Sequence, residues 1–174
     1  MRSLAARIAV IALLLGSMAA CGYRLSGKGS TLPDHVRRIA VPLFQNETRQ
    51  PEIAQRITEA LADEFIRRGG YATTSSPEDA EALLTGTITV YQRRPVGVRT
   101  NGRANRYEIE IQVQAELRDL VNDVTLWKDD HFVFRDQYDV DSNESEFFDE
   151  SIVAIEEISR DFARTVVATI MEGF

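Results

Sequence analysis

The sharpest pattern along the chain runs from Tyr107 to Leu117. There Tyr107, Ile109, Ile111, Val113, Ala115 and Leu117 alternate with Glu108, Glu110, Gln112, Gln114 and Glu116. A period of two places successive side chains on opposite faces of a strand. The segment therefore predicts a strand with one buried and one wet face, as in an antiparallel sheet covered on one side. Ala82 to Tyr91 repeats the pattern less cleanly, with Leu84, Gly86, Ile88 and Val90 facing one way and Thr85, Thr87, Thr89 and Tyr91 the other. Val36 to Phe44 is short and mostly apolar, and Pro42 near its end predicts an edge or terminal strand. Val124 to Trp127 and Phe132 to Tyr138 supply one long or two broken strands around Lys128-Asp129-Asp130, and Tyr71 to Ala80 reads as a connection.

Two segments carry the helical period instead. Ile53, Ile57, Leu61 and Phe65 recur at four-residue spacing, while Glu52, Arg56, Glu59, Asp63, Arg67 and Arg68 occupy the other face. Pro51 suits the first turn of this helix and Gly69-Gly70 stops it. Near the C-terminus Ile152, Ile155, Ser159, Phe162, Val166 and Ile170 form one face, and Asn143 and Glu146 fit a capping box ahead of it. The predicted order is β-α-β-β-β-α. The first helix is then a crossover between parallel strands, and the short later links are hairpins. The fold class expected is α+β, a two-layer sandwich in which a four-stranded mixed sheet carries two helices on one face.

The first twenty residues belong to a different physical class. Arg2 and Arg7 precede the apolar run Ile8 to Leu15, and Gly16, Ser17, Met18, Ala19 and Ala20 lead into Cys21, the only cysteine. The uncharged stretch is shorter than the ~20 residues that span a bilayer. Residues 1–20 read as a lipoprotein signal peptide, and a lone cysteine behind it is explained by lipid on its sulfur. Several acyl chains on Cys21 anchor a protein firmly where one does not. The segment resembles a lipobox with Met18 in place of the usual Leu. Gly22, with no Asp after the cysteine, resembles the sorting pattern for the outer membrane. Residues 21–34 (CGYRLSGKGSTLPD) read as a lipidated flexible tether, and residues 35–174 as a single α+β domain.

Charge and chemistry narrow the function. Twenty basic residues against 27 acidic give a net charge of −7, and loss of a signal segment carrying only Arg2 and Arg7 makes it more negative. This argues against nucleic-acid binding. His35 and His131 are the only histidines, and each reads as an ordinary surface or structural residue. No His/Cys cluster has metal-site spacing, and Gly27-Lys28-Gly29 lacks the phosphate-loop pattern. Asp129-Asp130 and Asp149-Glu150 read as solvated acids. The expectation is a protein with no catalytic residues, no metal and no cofactor. An asymmetry does point to binding: Tyr91 to Tyr107 holds Arg93, Arg94, Arg99, Arg103 and Arg106 without one acid, whereas Asp129 to Glu150 is strongly acidic with Arg135 its sole base. Gly97 and Asn101-Gly102 mark the arginine segment as a long hairpin connection. Guanidinium forks match phosphate and carboxylate, so it is a candidate site for an anionic headgroup or an acidic protein surface.

Read in order behind the lipobox, Cys21-Gly22-Tyr23-Arg24-Leu25, the strand Arg38 to Phe44 followed by Gln45-Asn46-Glu47-Thr48, the helix end Ala60 to Gly70, Ala80 to Ile88, and Leu117-Arg118-Asp119 before Leu126-Trp127 resemble the LptE family of outer-membrane lipoproteins. The resemblance implies two helices on a four-stranded sheet, in a protein that plugs an LptD-like β-barrel one to one and assists its assembly. It also implies binding of lipopolysaccharide on its way to the outer leaflet, with no covalent step catalysed. The domain would lie on the periplasmic side and within the barrel lumen, held to outer-membrane lipid through acylated Cys21. Arg93, Arg94, Arg99, Arg103 and Arg106 are then the candidate lipopolysaccharide contacts. The alternatives are an adaptor lipoprotein of another envelope or secretion complex and, more remotely, a periplasmic hydrolase.

Overall fold

The structure, a computed structural model, describes residues 32–98, 104–139 and 147–173, the first turns of the last helix (147–154) by backbone alone. In chain order the elements are β1 (Arg38–Ala40), β2 (Gln45–Asn46), α1 (Ile53–Glu64), β3 (Ala72–Thr74), β4 (Ala82–Val98), β5 (Ala104–Asp119), β6 (Val124–Asp139) and α2 (Phe147–Glu172). The expected four-stranded sheet and the order β-α-β-β-β-α are both incorrect. The sheet has six strands, ordered β3-β1-β4-β5-β6 with β2 also on β4, and the chain runs β-β-α-β-β-β-β-α.

Two causes account for the extra strands. Pro42 has no amide hydrogen to give a ladder, and of the predicted first strand, Val36 to Phe44, only Arg38–Ala40 forms a strand, β1, while β2 (Gln45–Asn46) follows just beyond its predicted end. Both pair parallel with β4, at Ile39↔Ala82 and Gln45↔Thr87. The second addition, β3, is too short to show a period and pairs parallel with β1 at Ile39↔Thr73. The predicted lipid anchor at Cys21, the tether before Leu32, and the Asn143/Glu146 capping box all fall outside the described residues.

The other three strands form a long antiparallel meander of 17, 16 and 16 residues, roughly 50 Å from end to end at 3.3 Å per residue. On β5 the alternation holds: Ile109, Ile111, Val113, Ala115 and Leu117 are buried. On β4 it slips. The pairing steps from Ile88↔Val113 to Val90↔Gln112, so one residue bulges out and the phase reverses. Beyond it Tyr91 sits opposite Ile111 and packs on the core, while Val90 joins the polar face. The sequence phase is inverted at both positions.

Both helices bury their apolar stripes in one core with that sheet face. Ile53, Ile57, Leu61 and Phe65 come from the first helix, and Ile158, Phe162, Val166 and Ile170 from α2. The first helix ends in a wider π turn over Phe65–Gly69, closed by Gly70 at φ +68°, a conformation glycine adopts without strain. Gly86 is required for a different reason, since a Cβ there would lie 2.2 Å from the Phe44 ring. The entry to the domain is clamped to the near end of the meander. Fully buried Asp119 accepts from the Val121 and Asn122 amides at 2.8 and 3.1 Å and from Asn122 Nδ2 at 2.9 Å, and His35 Nε2 lies 2.9 Å away. Beside it the Glu81 carboxylate accepts from the Arg38 amide at 2.6 Å.

Candidate functional site

The meander's polar face is a lattice of cross-strand charge pairs. Strict alternation on β5 lines up Glu108, Glu110, Gln112, Gln114 and Glu116, and the neighbouring strands place cations opposite. Arg94 on β4 reaches Glu108 at 2.6 Å and Glu110 at 3.5 Å. From the other side Arg135 on β6 donates to Glu110 at 2.7 Å, Gln112 donates to the same carboxylate at 2.8 Å, and Gln137 donates to Glu108 at 3.3 Å. Nearer the hairpin tip Arg106 clasps both oxygens of Asp139 at 2.7 and 3.2 Å.

These contacts hold the charged forms in place. Glu108 titrates below the usual carboxylate range because Arg94, then Gln137, hydrogen-bond its anion. Glu110 does so through Arg135 and then Gln112. Arg94 and Arg106 are pushed up by Glu108 and Asp139 in turn. Exposed pairs of this kind add little stability one by one. Their effect is to make the face polar, satisfied and close to neutral.

The predicted arginines are therefore divided. The expectation of a hairpin connection over 91–107 is incorrect, because β4 runs on to Val98 and β5 resumes at Ala104. Arg93 and Arg94 are neighbours in a strand and project to opposite faces. Arg94 and Arg106 belong to the lattice. Arg93 lies on the helix-side face, its guanidinium 5.0 Å above the Tyr107 ring and Nη1 3.4 Å from the Tyr138 hydroxyl. Tyr107 and Tyr138 stack beneath it at 5.8 Å. Arg99 and Arg103 fall outside the described residues. Arg135, noted in the sequence only as the lone base of an acidic segment, and Gln137, not noted there, complete the site, although the alternation of Glu108 and Glu110 called for partners opposite.

Toward the near end the same polar face hollows into an open groove of about 620 Å³, lined by Leu43, Gln45, Thr85, Thr87, Glu116 and Lys128. His131 is exposed, with its amide capped by Asp129 at 2.7 Å, and Asp130 pairs with Lys128 at 3.0 Å. Among the described residues no group of His, Cys, Asp and Glu could hold a metal ion, and no helix is long and apolar enough to cross a membrane.

Comparison with known proteins adds the ancestry. Residues 36–170 match the family model described as LptE, lipopolysaccharide-assembly. No curated protein matches the chain. Among solved structures the fold is shared with lipoprotein B from Nitrosomonas europaea, at 17% identity and TM-score 0.53 over 86% of this chain and 90% of that one. A PelC dodecamer from Paraburkholderia phytofirmans has 16% identity and TM-score 0.51, covering 78% and 88%. Protein CT253 from Chlamydia trachomatis has 11% identity and TM-score 0.52, covering 78% and 96%.

Proposed function

We propose a function on one premise: this chain belongs to the LptE family. Membership makes it a non-catalytic lipoprotein of the outer membrane, held there by lipid. The finer reading is that it plugs and helps assemble an LptD-like β-barrel, one to one, and binds lipopolysaccharide during its insertion into the outer leaflet, with Cys21 as the acylated residue. The observation that carries it is the meander. Strands of 16–17 residues are longer than the ~25 Å apolar band of a barrel, so the meander can run through the lumen. A barrel interior is polar, and a lattice whose charges are already paired can face it without leaving any charge uncompensated. At the tip, Arg93, Arg94 and Arg106, with Arg99 and Arg103 between them in sequence, supply guanidinium forks for the lipid's phosphates.

A second reading keeps the family and the anchor but changes the partner: an adaptor lipoprotein of another envelope complex. The fold supports it as well as the first, because a chain solved as a dodecamer shares the fold nearly as closely as lipoprotein B does. Gentle extraction of outer membranes followed by native mass spectrometry separates the two. The plug reading expects a one-to-one complex with a large β-barrel. A ring of identical chains, or a different partner, sinks it in favour of the adaptor.

A further inference from the structure

We propose that the outer edge of β6, together with the flank of α2 beside it, is a docking groove for an extended segment of a partner polypeptide bearing basic side chains, which adds to the sheet as a further strand. This goes beyond the barrel reading and stands whether or not the partner is a barrel.

The edge itself specifies a peptide backbone as ligand. Among the described residues β6 ends the sheet, with β5 on one side and no strand on the other. Its residues from Phe132 to Asp139 pair with β5 without interruption. The Gln137 amide donates to its neighbour's carboxylate, Asp136 Oδ1, at 2.7 Å, so it points away from β5. In an antiparallel strand the groups facing one neighbour come from every second residue. Val133 and Arg135 therefore also turn both N–H and C=O outward, and Val133 is 38% exposed. Natural edges are blunted to prevent unwanted pairing. Here the blunting is local: Asp129 caps the His131 amide at 2.7 Å and Asp136 caps Gln137, with Val133 and Arg135 open between them.

Beside this edge lie slots for alternate side chains. One hollow of about 340 Å³ is lined by Phe134, Arg135, Asp136, Asp161, Arg164 and Thr165. It adjoins one of about 240 Å³ lined by Asp136, Tyr138, Glu157, Ile158 and Arg160. An edge strand with a helix running alongside is the arrangement that accepts extended peptides by strand addition. Charge then selects among peptides. Arg160 is held by Glu156 at 3.2 Å, Arg164 by Asp161, and Arg135 by Glu110 on the opposite face. No cation among the described residues pairs with Asp136 or Glu157. An incoming carbonyl that takes the Gln137 amide releases the Asp136 carboxylate, which a lysine or arginine of the same segment can then meet.

The test uses the purified full-length chain and a labelled six-residue peptide alternating lysine and valine, followed by fluorescence anisotropy and amide hydrogen exchange. The expected result is binding that slows exchange at Val133, Arg135 and Gln137. Affinity should fall about tenfold when alternate peptide nitrogens are methylated, and again when lysine is replaced by glutamate, each change removing hydrogen bonds or charge pairs worth roughly that factor. Val133→Pro, which removes an outward amide but no inner ladder bond, should weaken binding by a similar factor. Asp136→Asn with Glu157→Gln should erase the preference for lysine over glutamate. The proposal is overturned by no binding at about 1 mM, by equal affinity for the methylated peptide, or by protection appearing on β2 or β3 instead. It is also overturned if deleting residues 22–31 raises the peptide's affinity, because the groove then belongs to the chain's own N-terminal segment. The methylated peptide reads out on the native chain, so the result does not depend on any variant folding.

Discussion

Replacing Phe162 with alanine tests how α2 is joined to the sheet. The side chain is 1% exposed, and the rings of Phe132 and Phe134 from β6 stand edge-on to it at 5.6 and 5.9 Å. Truncating a buried phenylalanine costs ~3–5 kcal/mol, and each edge-on pair accounts for about 0.5–1.5 kcal/mol of that. Against a total stability of ~5–15 kcal/mol for a domain the loss is severe. With a urea slope of about 2 kcal/mol per molar, the unfolding midpoint should drop by about 2 M. Phe162→Leu keeps most of the apolar volume but loses the ring pairs, so it should fall between wild type and alanine. Combining it with Phe134→Leu should reveal a coupling of about 0.5–1.5 kcal/mol. Circular dichroism in urea measures each of these proteins. If Phe162→Ala cost less than about 1 kcal/mol, or the coupling were zero, α2 would not be seated on β6 as described, and the groove between them would lose its wall.

Three further outcomes follow from the same structure. Ile111→Asp places a charge at a fully buried position and should cost several kcal/mol, whereas Gln112→Asp on the polar face should be mild; equal damage in urea melts would mean the β5 phase is wrong. Burial pushes the Asp119 carboxyl up, but hydrogen bonds from Asn122, His35 and Val121 outweigh it and hold it well below its ordinary value. The stability it adds is complete above the unfolded value of about 3.9 and is lost as pH falls, so Asp119→Asn should flatten the acid limb of urea midpoints plotted against pH. Cys21→Ala should abolish acylation, read by mass spectrometry of membrane fractions, and recovery of the variant still carrying lipid would refute the anchor.

How far the fold could be read from the sequence depended on how long each pattern ran. Tyr107 to Leu117 alternates over eleven residues of one strand, and the buried face of β5 is the one it names. The helices declared themselves through Ile53, Ile57, Leu61 and Phe65 and through Phe162, Val166 and Ile170. β2 and β3 have two and three residues, too few for any period, and are held only by parallel pairing with strands distant in the chain. The bulge after Ile88 is illegible for another reason. Thr89, Val90 and Tyr91 all suit a strand on either face, and only the register against Gln112 and Ile111 decides which way they turn. Arg93 and Arg94 looked like loop residues because Gly97 and Asn101-Gly102 suggested an early turn, yet backbone pairing carries the strand past them.

That division of the arginines changes what the ligand reading must predict. On the polar face Arg94, Arg106 and Arg135 are set against Glu108, Glu110 and Asp139, a balanced group in which each guanidinium already has a carboxylate. A phosphate approaching Arg94 or Arg106 must displace an anion that fits it equally well, so these two offer little net attraction. Arg93 sits on the other face, over the Tyr107 and Tyr138 rings. The ligand reading then rests on Arg99 and Arg103, in the acid-free stretch of sequence between β4 and β5. If the tip meets lipopolysaccharide, Arg99→Ser with Arg103→Ser should weaken binding to the purified complex about tenfold, and less at high salt because exposed charges are screened. Arg94→Ser with Glu108→Ser removes a matched pair and should change it by less than about threefold. Lipopolysaccharide binding measured on immobilised complex at two salt concentrations decides between them. Should the matched pair matter more than Arg99 and Arg103, the lattice itself is the phosphate site, and the carboxylates are placeholders that the ligand evicts.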